Sequence, residues 1–463
     1  MTDKSDLQIR GDVLTSTDPG FDQAFAIWDG RHGQRPALVA QCSSSEDVQA
    51  AVVYAQDNDL EISVRCGGHN PNNYAVNEGG IVLDLRKINS VEIDPVARRA
   101  RVGGGALAGD VVRAAAEFGL VPVSGMSPPV GFCGIGLTGG EGFFTEKFGL
   151  VSDSIVGATL VTADGELIHC SETERPELLW GMRGAGPNFG VVTEVEIALY
   201  DLPESVLAGL ITWMPERDQL ADFLSSLMTA YINGSPDLYP VMIIGRDSDG
   251  APQVFLAVCH LGEPESADRE IAEILAIAPP FDNGVARDTY PDALRKLDEL
   301  TKEQFYKSPD APQGHFWSDR ELAASPEKFG EVVAANIDRL LTDPEHNATI
   351  MLEILGKRLV NVANSPAKHR TAPGIMVSSE WEGNEMTPHW TKLSIELDKA
   401  LLDGGATVDE FGLIHGVSDV TPEIVRENFG PEVYQRLAVL KAEYDPKNIF
   451  HLNYNIVPAA DSH

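Results

Sequence analysis

Glycine placed at strand ends is the feature that most restricts this chain. The segment LEISV, where Ile62 and Val64 alternate with polar neighbours, reads as a half-buried strand. It runs directly into Arg65-Cys66-Gly67-Gly68-His69-Asn70. Paired glycines allow backbone conformations closed to other residues and let the chain approach a ligand closely. The histidine that follows is therefore presented beside whatever the turn holds, or is simply a solvated loop residue. Three further clusters, GGGA at 103–106, GFCGIGLTGGEG at 131–142 and RGAGPNFG at 183–190, bring more backbone N–H groups into small spaces. That arrangement cradles phosphates. One cluster is explained by a tight turn; this many in one region predict a ligand held by backbone.

Between these clusters the first 200 residues alternate strand and helix signals. Ser43 opens a capping box with Glu46, and Val48, Ala51, Val52 and Ala55 follow at helical spacing. GIVLDL (80–85) and RARV (99–102) read as short strands, GDVVRAAAEF (109–118) as a helix ended by Gly119, and ATLVTADGELIHC as a hairpin across Asp164-Gly165. FGVVTEVEIALY reads as a closing strand. From about 206 to 409 the segments are longer and carry Trp213, Trp317, Trp381 and Trp390, with Trp28 and Trp180 upstream. Aromatic side chains so placed suggest a substrate-pocket wall, with core packing as the plainer fate of each. A chain of 463 residues with 43% hydrophobic content exceeds what one core usually supports, so two domains are expected.

Composition narrows the partners. Seventy acidic against 35 basic residues give a formal charge of -35, which repels nucleic acid and anionic membrane. The start, MTDKSDLQIRGD, lacks the apolar core of a signal peptide, and no apolar run is long enough to span a bilayer. A cytoplasmic protein, without nucleic-acid or membrane partners, is expected. Five cysteines without framework spacing (Cys42, Cys66, Cys133, Cys170, Cys259) fit reduced thiols. Cys66 and His69 have metal-ligand spacing without a second pair, so no metal is expected. Gly134-Ile-Gly136-Leu-Thr-Gly139 matches GxGxxG but follows Pro128-Pro129 rather than a buried strand, which leaves a nicotinamide dehydrogenase a distant alternative. Gly125-Met-Ser127-Pro-Pro129 lacks the last glycine of a nucleophile elbow.

Taken in order, Arg65-x-Gly67-Gly68-His69, GMSPPVGFCGIGLTGGEGFFTEKFGLVSD, the TADG hairpin, RGAGPNFGVVTEVEI, His369-Arg370 and YDPKNIFHLNYNIVP resemble the berberine bridge enzyme-like branch of the vanillyl-alcohol oxidase flavoproteins. The similarity is strong in the first 200 and last 40 residues and loose between. It implies an α+β fold: a discontinuous FAD-binding domain of two subdomains from 1–205 and 410–463, and a central substrate domain, 206–409, with an antiparallel sheet backed by helices. By the same resemblance His69 bonds the 8α-methyl of the flavin. Arg65, Cys66, Gly67, Gly68, Asn70, Ser127, Val130, Gly131, Cys133, Gly134, Gly136, Thr138, Gly139, Gly142, Gly190, Val192, Asn453 and Asn455 would contact FAD.

Many relatives carry a second link through a cysteine in a C-P-x-V-G run. Here Ser127 stands in that place, and a hydroxyl is too weak a nucleophile to replace a thiol, so a single link through His69 is expected, with Cys133 packed in the turn or, alternatively, a shifted attachment. Valine at 130, where relatives control oxygen access, looks permissive and favours an oxidase. The tyrosine that relatives place before Phe429-Gly430 is missing; the count falls on Leu413-Ile414-His415, which makes His415 a candidate base. Tyr454, in NYNI, is a candidate substrate contact. FWSD at 316–319 departs from the family pattern, so the substrate stays open. The expected protein transfers a hydride from an activated C–H of a small molecule to FAD, reoxidised by O2 to give H2O2, as a monomer or homodimer. The alternative is a flavoprotein that has lost turnover.

Overall fold

The structure is a computed structural model that describes residues 4–30, 33–247, 249–305, 313–341, 347–353, 364–369, 372–382, 387–411 and 414–460. Its N-terminal part holds two small sheets, besides a two-stranded pairing of Leu120–Val121 with Tyr200–Asp201. In the first, strands Leu38–Gln41, Ile81–Asp84 and Ile62–Arg65 are parallel, and Asp12–Thr15 pairs antiparallel at the edge. Ile62, Ile81 and Leu83 are buried, and helix Ser45–Asp57 packs Val48, Ala51, Val52 and Ala55 into the same cluster. That helix is capped by Ser44, whose side chain accepts from Asp47 N, and not by Ser43. Ser43 instead donates to the Asp47 carboxylate at 2.8 Å, so its neighbour is left to cap.

The second sheet is antiparallel, with Val91–Asp94, Arg99–Gly103, Val191–Ala198, Ile155–Val161 and Leu167–Ser171 side by side. The hairpin falls where the Asp164-Gly165 pair puts it, with Gly165 at φ 77°. The helix after Arg99–Gly103 runs Ala108–Ala116, and Gly119 follows it at φ 68°. The GxGxxG run does not follow a strand. Gly134 and Gly136 lie in a short helix, Phe132–Gly136.

The third sheet has nine strands, whose main path runs from Asp282–Asn283 through Val206–Trp213, Pro252–His260, Leu238–Arg246, Asn347–Glu353, Gly374–Glu382 and Gln313–Leu322 to Thr407–Phe411. All its pairings are antiparallel. Successive strand residues point to opposite faces, and here the faces do different work. Met242, Ile244, Val254, Leu256, Val258, Ile350 and Leu352 pack under helices Leu220–Asn233, Pro326–Leu341 and Thr387–Asp403. Val241, Ile243, Phe255, Ala257 and Cys259 instead join the cluster that contains Phe132, Cys133 and Leu137. One face thus closes a helical layer, and the other meets the glycine-rich turns. Mixed sheet and helix with an antiparallel, helix-backed sheet match the expected fold class.

Candidate active site

A cavity of about 460 Å³ lies between the glycine-rich turns and the free face of the nine-stranded sheet. Its volume is that of a small-molecule site. Strand Ile62–Arg65 delivers Cys66, Gly67, Gly68, His69 and Asn70 to one wall. The loop before helix Phe132–Gly136 supplies Ser127, Val130 and Gly131, and the helix and its end supply Cys133, Gly134 and Thr138. Gly190 and Val192 enter from the start of strand Val191–Ala198, and Asn453 and Tyr454 from the C-terminal segment.

The remaining expected positions lie off the cavity. Gly136 packs against Val151, the Gly139 carbonyl accepts from Ser152 N at 2.8 Å, and a Cβ on Gly142 would stand 1.8 Å from Ser124 O. The Arg65 guanidinium is buried against the Ala24 and Ala26 carbonyls, so it fixes the neighbouring chain rather than lining the cavity. Asn455 is also absent from the lining. His415 sits on the turn Ile414–Gly416, whose Gly416 lines the cavity, but its side chain lies outside the described residues, as does Arg370.

The glycine wall fits a bound group made of flat rings and phosphates. A Cβ on Gly67 would stand 2.4 Å from Gly131 N, so the two turns meet backbone to backbone. Gly134, by contrast, has nothing within 4 Å of its missing Cβ and is open to the cavity. The Oδ1 atoms of Asn453 and Asn455 are buried with no hydrogen-bond partner. Tyr454 is held by two contacts: Asn70 donates to its hydroxyl at 2.9 Å, and Asn188 donates to its carbonyl at 3.2 Å. Burial raises its phenol pKa, so the hydroxyl stays protonated. Burial likewise pushes the Cys66 thiol up to about 12 and raises that of Cys133. Neither thiol is a ready nucleophile, because the thiolate is the reactive form.

The opposite wall was not legible as a unit. Val241, Ile243 and Ala257 give it an apolar floor, and Trp317, Asp319, Met351, Glu353 and Met376 project from the neighbouring strands. Helix Tyr290–Phe305 adds Asp298 and Thr301, and Ser127 donates to Asp298 at 2.6 Å. Glu141 completes four carboxylates, and no lysine or arginine occurs among the described lining residues. Of the four late tryptophans only Trp317 lines the cavity. Trp213 is core on the helical face, and Trp381 and Trp390 pack with Phe316. Trp28, from the N-terminal part, is the other indole in the wall. The signal that could have found the acids is period two: Trp317 with Asp319, and Met351 with Glu353, each share one face of a buried strand.

Comparison with known proteins decides the family. Residues 36–171 match the family model of an FAD binding domain, and residues 416–457 match that described as berberine and berberine like. The chain is 48% identical over 453 residues to (R)-6-hydroxynicotine oxidase of Paenarthrobacter nicotinovorans, covering 98% of both.

This chain belongs to the berberine bridge enzyme-like, FAD-linked oxidases of the vanillyl-alcohol oxidase family.

The solved structure of 6-hydroxy-D-nicotine oxidase from Arthrobacter nicotinovorans superposes on this oxidase with a TM-score of 0.93 at 48% identity, over 98% of this chain and 99% of that one. Glucooligosaccharide oxidase from Acremonium strictum, a protein with a 6-S-cysteinyl, 8α-N1-histidyl FAD, shares the fold, with a TM-score of 0.84 at 21% identity over 97% and 98% of the two chains. The enzyme is an FAD-dependent oxidase that acts on a small molecule. Among the described residues, no helix is long and apolar enough to cross a membrane.

Proposed function

We propose that the cavity holds FAD through one covalent bond to His69 and that this oxidase removes a hydride from carbon next to nitrogen in a small cationic amine. The observation that carries the substrate class is the chemistry of the wall, which four carboxylates line: Glu141, Asp298, Asp319 and Glu353. Carboxylates in a partly dry cavity favour a cation and disfavour anionic or neutral competitors. The relative named for a hydroxynicotine, itself a nitrogen base, points the same way.

In this reading residues 1–205 and 410–463 bind FAD, and residues 206–409 present the substrate. The glycine turns at Gly67, Gly131 and Gly134 hold the cofactor by backbone, and Asn453 faces it with an acceptor. Bound there, FAD takes up the hydride and passes the electrons to O2, giving H2O2. The chain's own task is to orient the substrate and move its proton. An ammonium must lose a proton before its nitrogen lone pair can support the leaving hydride. We assign that proton to His415, since an imidazole can serve as a base near neutral pH, and the carboxylates hold the cation. Tyr454, kept neutral by burial, orients rather than deprotonates. Ser127 in place of a thiol, with the thiols of half-buried Cys66 and buried Cys133 kept protonated, leaves His69 as the single attachment, and Val130 leaves O2 a path.

The test is acid precipitation of the purified protein. Yellow colour stays with the wild-type pellet and is released from His69→Ala. A flavin-bearing Cys133 peptide would remove the single-link reading, and a colourless wild-type pellet would remove the covalent one.

A further inference from the structure

Nothing in a glycine turn fixes the plane of the histidine that follows it. Gly68 sits at φ 74°, and the His69 imidazole stands half-buried at the cavity wall. Trp28 bears on that plane through both its backbone and its ring. Its backbone N donates to Gly68 O at 3.0 Å, directly beside His69. Its indole lies nearly parallel to the His69 ring, with centroids 5.9 Å apart and 21° between planes.

Trp28 is in turn held by the sheet. His315 stacks on it at 3.4 Å and 17°, and Trp317 leans against it at 5.0 Å and 58°. His315 and Trp317 are two residues apart on strand Gln313–Leu322 and so share the cavity face. His315 is fully buried and lies 3.5 Å from Glu380 on the paired strand. The indole thus joins two rigid parts: backbone contact to the turn on one side, ring contact to the substrate-facing sheet on the other.

We propose that Trp28 is a positioning residue for flavin attachment, holding the His69 imidazole in the plane from which its nitrogen bonds the flavin methyl carbon. This rests on the proposed His69 link. In that step an N–C bond forms, the imidazole loses its N–H proton and the methyl carbon loses one C–H proton. The electron pair released reduces the flavin ring, and O2 reoxidises it to give H2O2. A nucleophile out of line by a fraction of an ångström reacts about tenfold or more slowly. Loss of Trp28 therefore slows attachment more than it weakens FAD binding, which depends on the glycine backbone and the C-terminal segment.

The measurement compares two quantities in Trp28→Ala, Trp28→Leu and Trp28→Phe: flavin bound per protein after gel filtration, and the share of it that stays with the acid-precipitated pellet. Bound flavin should stay near the wild-type level in Trp28→Ala and Trp28→Leu while the pellet share falls severalfold. Trp28→Phe, which keeps a flat ring, should restore it. Trp28→Leu keeps the apolar bulk and carries the test if the alanine variant does not fold. A pellet share equal to wild type in the Ala or Leu variant would overturn the proposal. So would bound and pellet flavin falling in the same proportion, the mark of a merely structural role. A wild-type pellet without flavin would instead overturn the His69 link itself.

Discussion

The two walls of the cavity are built on opposite principles. The wall around Gly67 and Gly131 is backbone against backbone, and a single methyl group has no room in it. The wall on the nine-stranded sheet is side chains on every second residue, with the helical layer sealing the other face. A change at Asp319, Glu353 or Met376 alters the cavity without disturbing that layer. With FAD and substrate bound as proposed, the difference amounts to a division of labour: the backbone wall is fixed by the cofactor it would hold, and the side-chain wall is free to set which substrate enters.

Breaking the first wall should have the largest effect. In Gly67→Ala the new Cβ would stand 2.4 Å from Gly131 N and 2.9 Å from Pro129 O. Backbone cannot give way cheaply, and overpacking of this kind costs about 1–3 kcal/mol or more. We expect a folded protein that purifies without flavin and therefore without activity, read from its visible spectrum. Flavin at the wild-type level would contradict a backbone-built wall.

Breaking the second wall should leave the colour and remove the substrate. Glu353→Gln takes a charge from a side chain only 8% exposed. Removing one member of a buried charge pair costs about 2–5 kcal/mol, so kcat/KM for an amine should fall about 10²-fold or more. Flavin content should not change, and flavin loss in this variant would erase the distinction between the walls.

Ser127→Ala sharpens the comparison because Ser127 belongs to the first wall and serves the second through its bond to Asp298. A hydrogen bond to a charged group contributes about 1.5–3 kcal/mol, so KM for the amine should rise about tenfold while the pellet flavin stays attached through His69.

The smallest effect is on stability. Burial raises the Glu380 carboxyl to about 8 from an ordinary 4.5. The folded state then binds a proton that the unfolded state has lost, so Glu380 lowers stability progressively as pH rises from 4.5 towards 8, with no further loss above that. Glu380→Gln, neutral at every pH, should melt higher than wild type, and its advantage should grow across that window in calorimetric scans. A constant difference would mean that Glu380 ionises normally.

How much of this was legible follows from how each wall is built. The turn at 65–70 is contiguous, so strand, glycines and histidine stand together in the chain, and the hairpin at Asp164-Gly165 is equally local. The cap of helix Ser45–Asp57 was misplaced by one residue because three serines, Ser43 to Ser45, stand in a row and only the fold decides which turns inward. The acidic wall draws on strands more than 30 residues apart and on a helix before them, and sheet order is not written in any one segment. Arg65 is expected at the cofactor, but its guanidinium finds the Ala24 carbonyl within helix Phe21–Phe25 and the Ala26 carbonyl just after it. Trp28, in a short stretch without periodicity, gave no signal until the sheet placed His315 and Trp317 against it.

The most direct test of the account is anaerobic mixing of the yellow protein with matched pairs of small compounds, each a secondary or tertiary amine and the alcohol or ether of the same shape. Bleaching of the flavin absorbance by the amines alone, weakened when Glu353 is replaced by Gln, is the predicted result. Equal or faster bleaching by the neutral partners would contradict an amine oxidase built on an acidic wall.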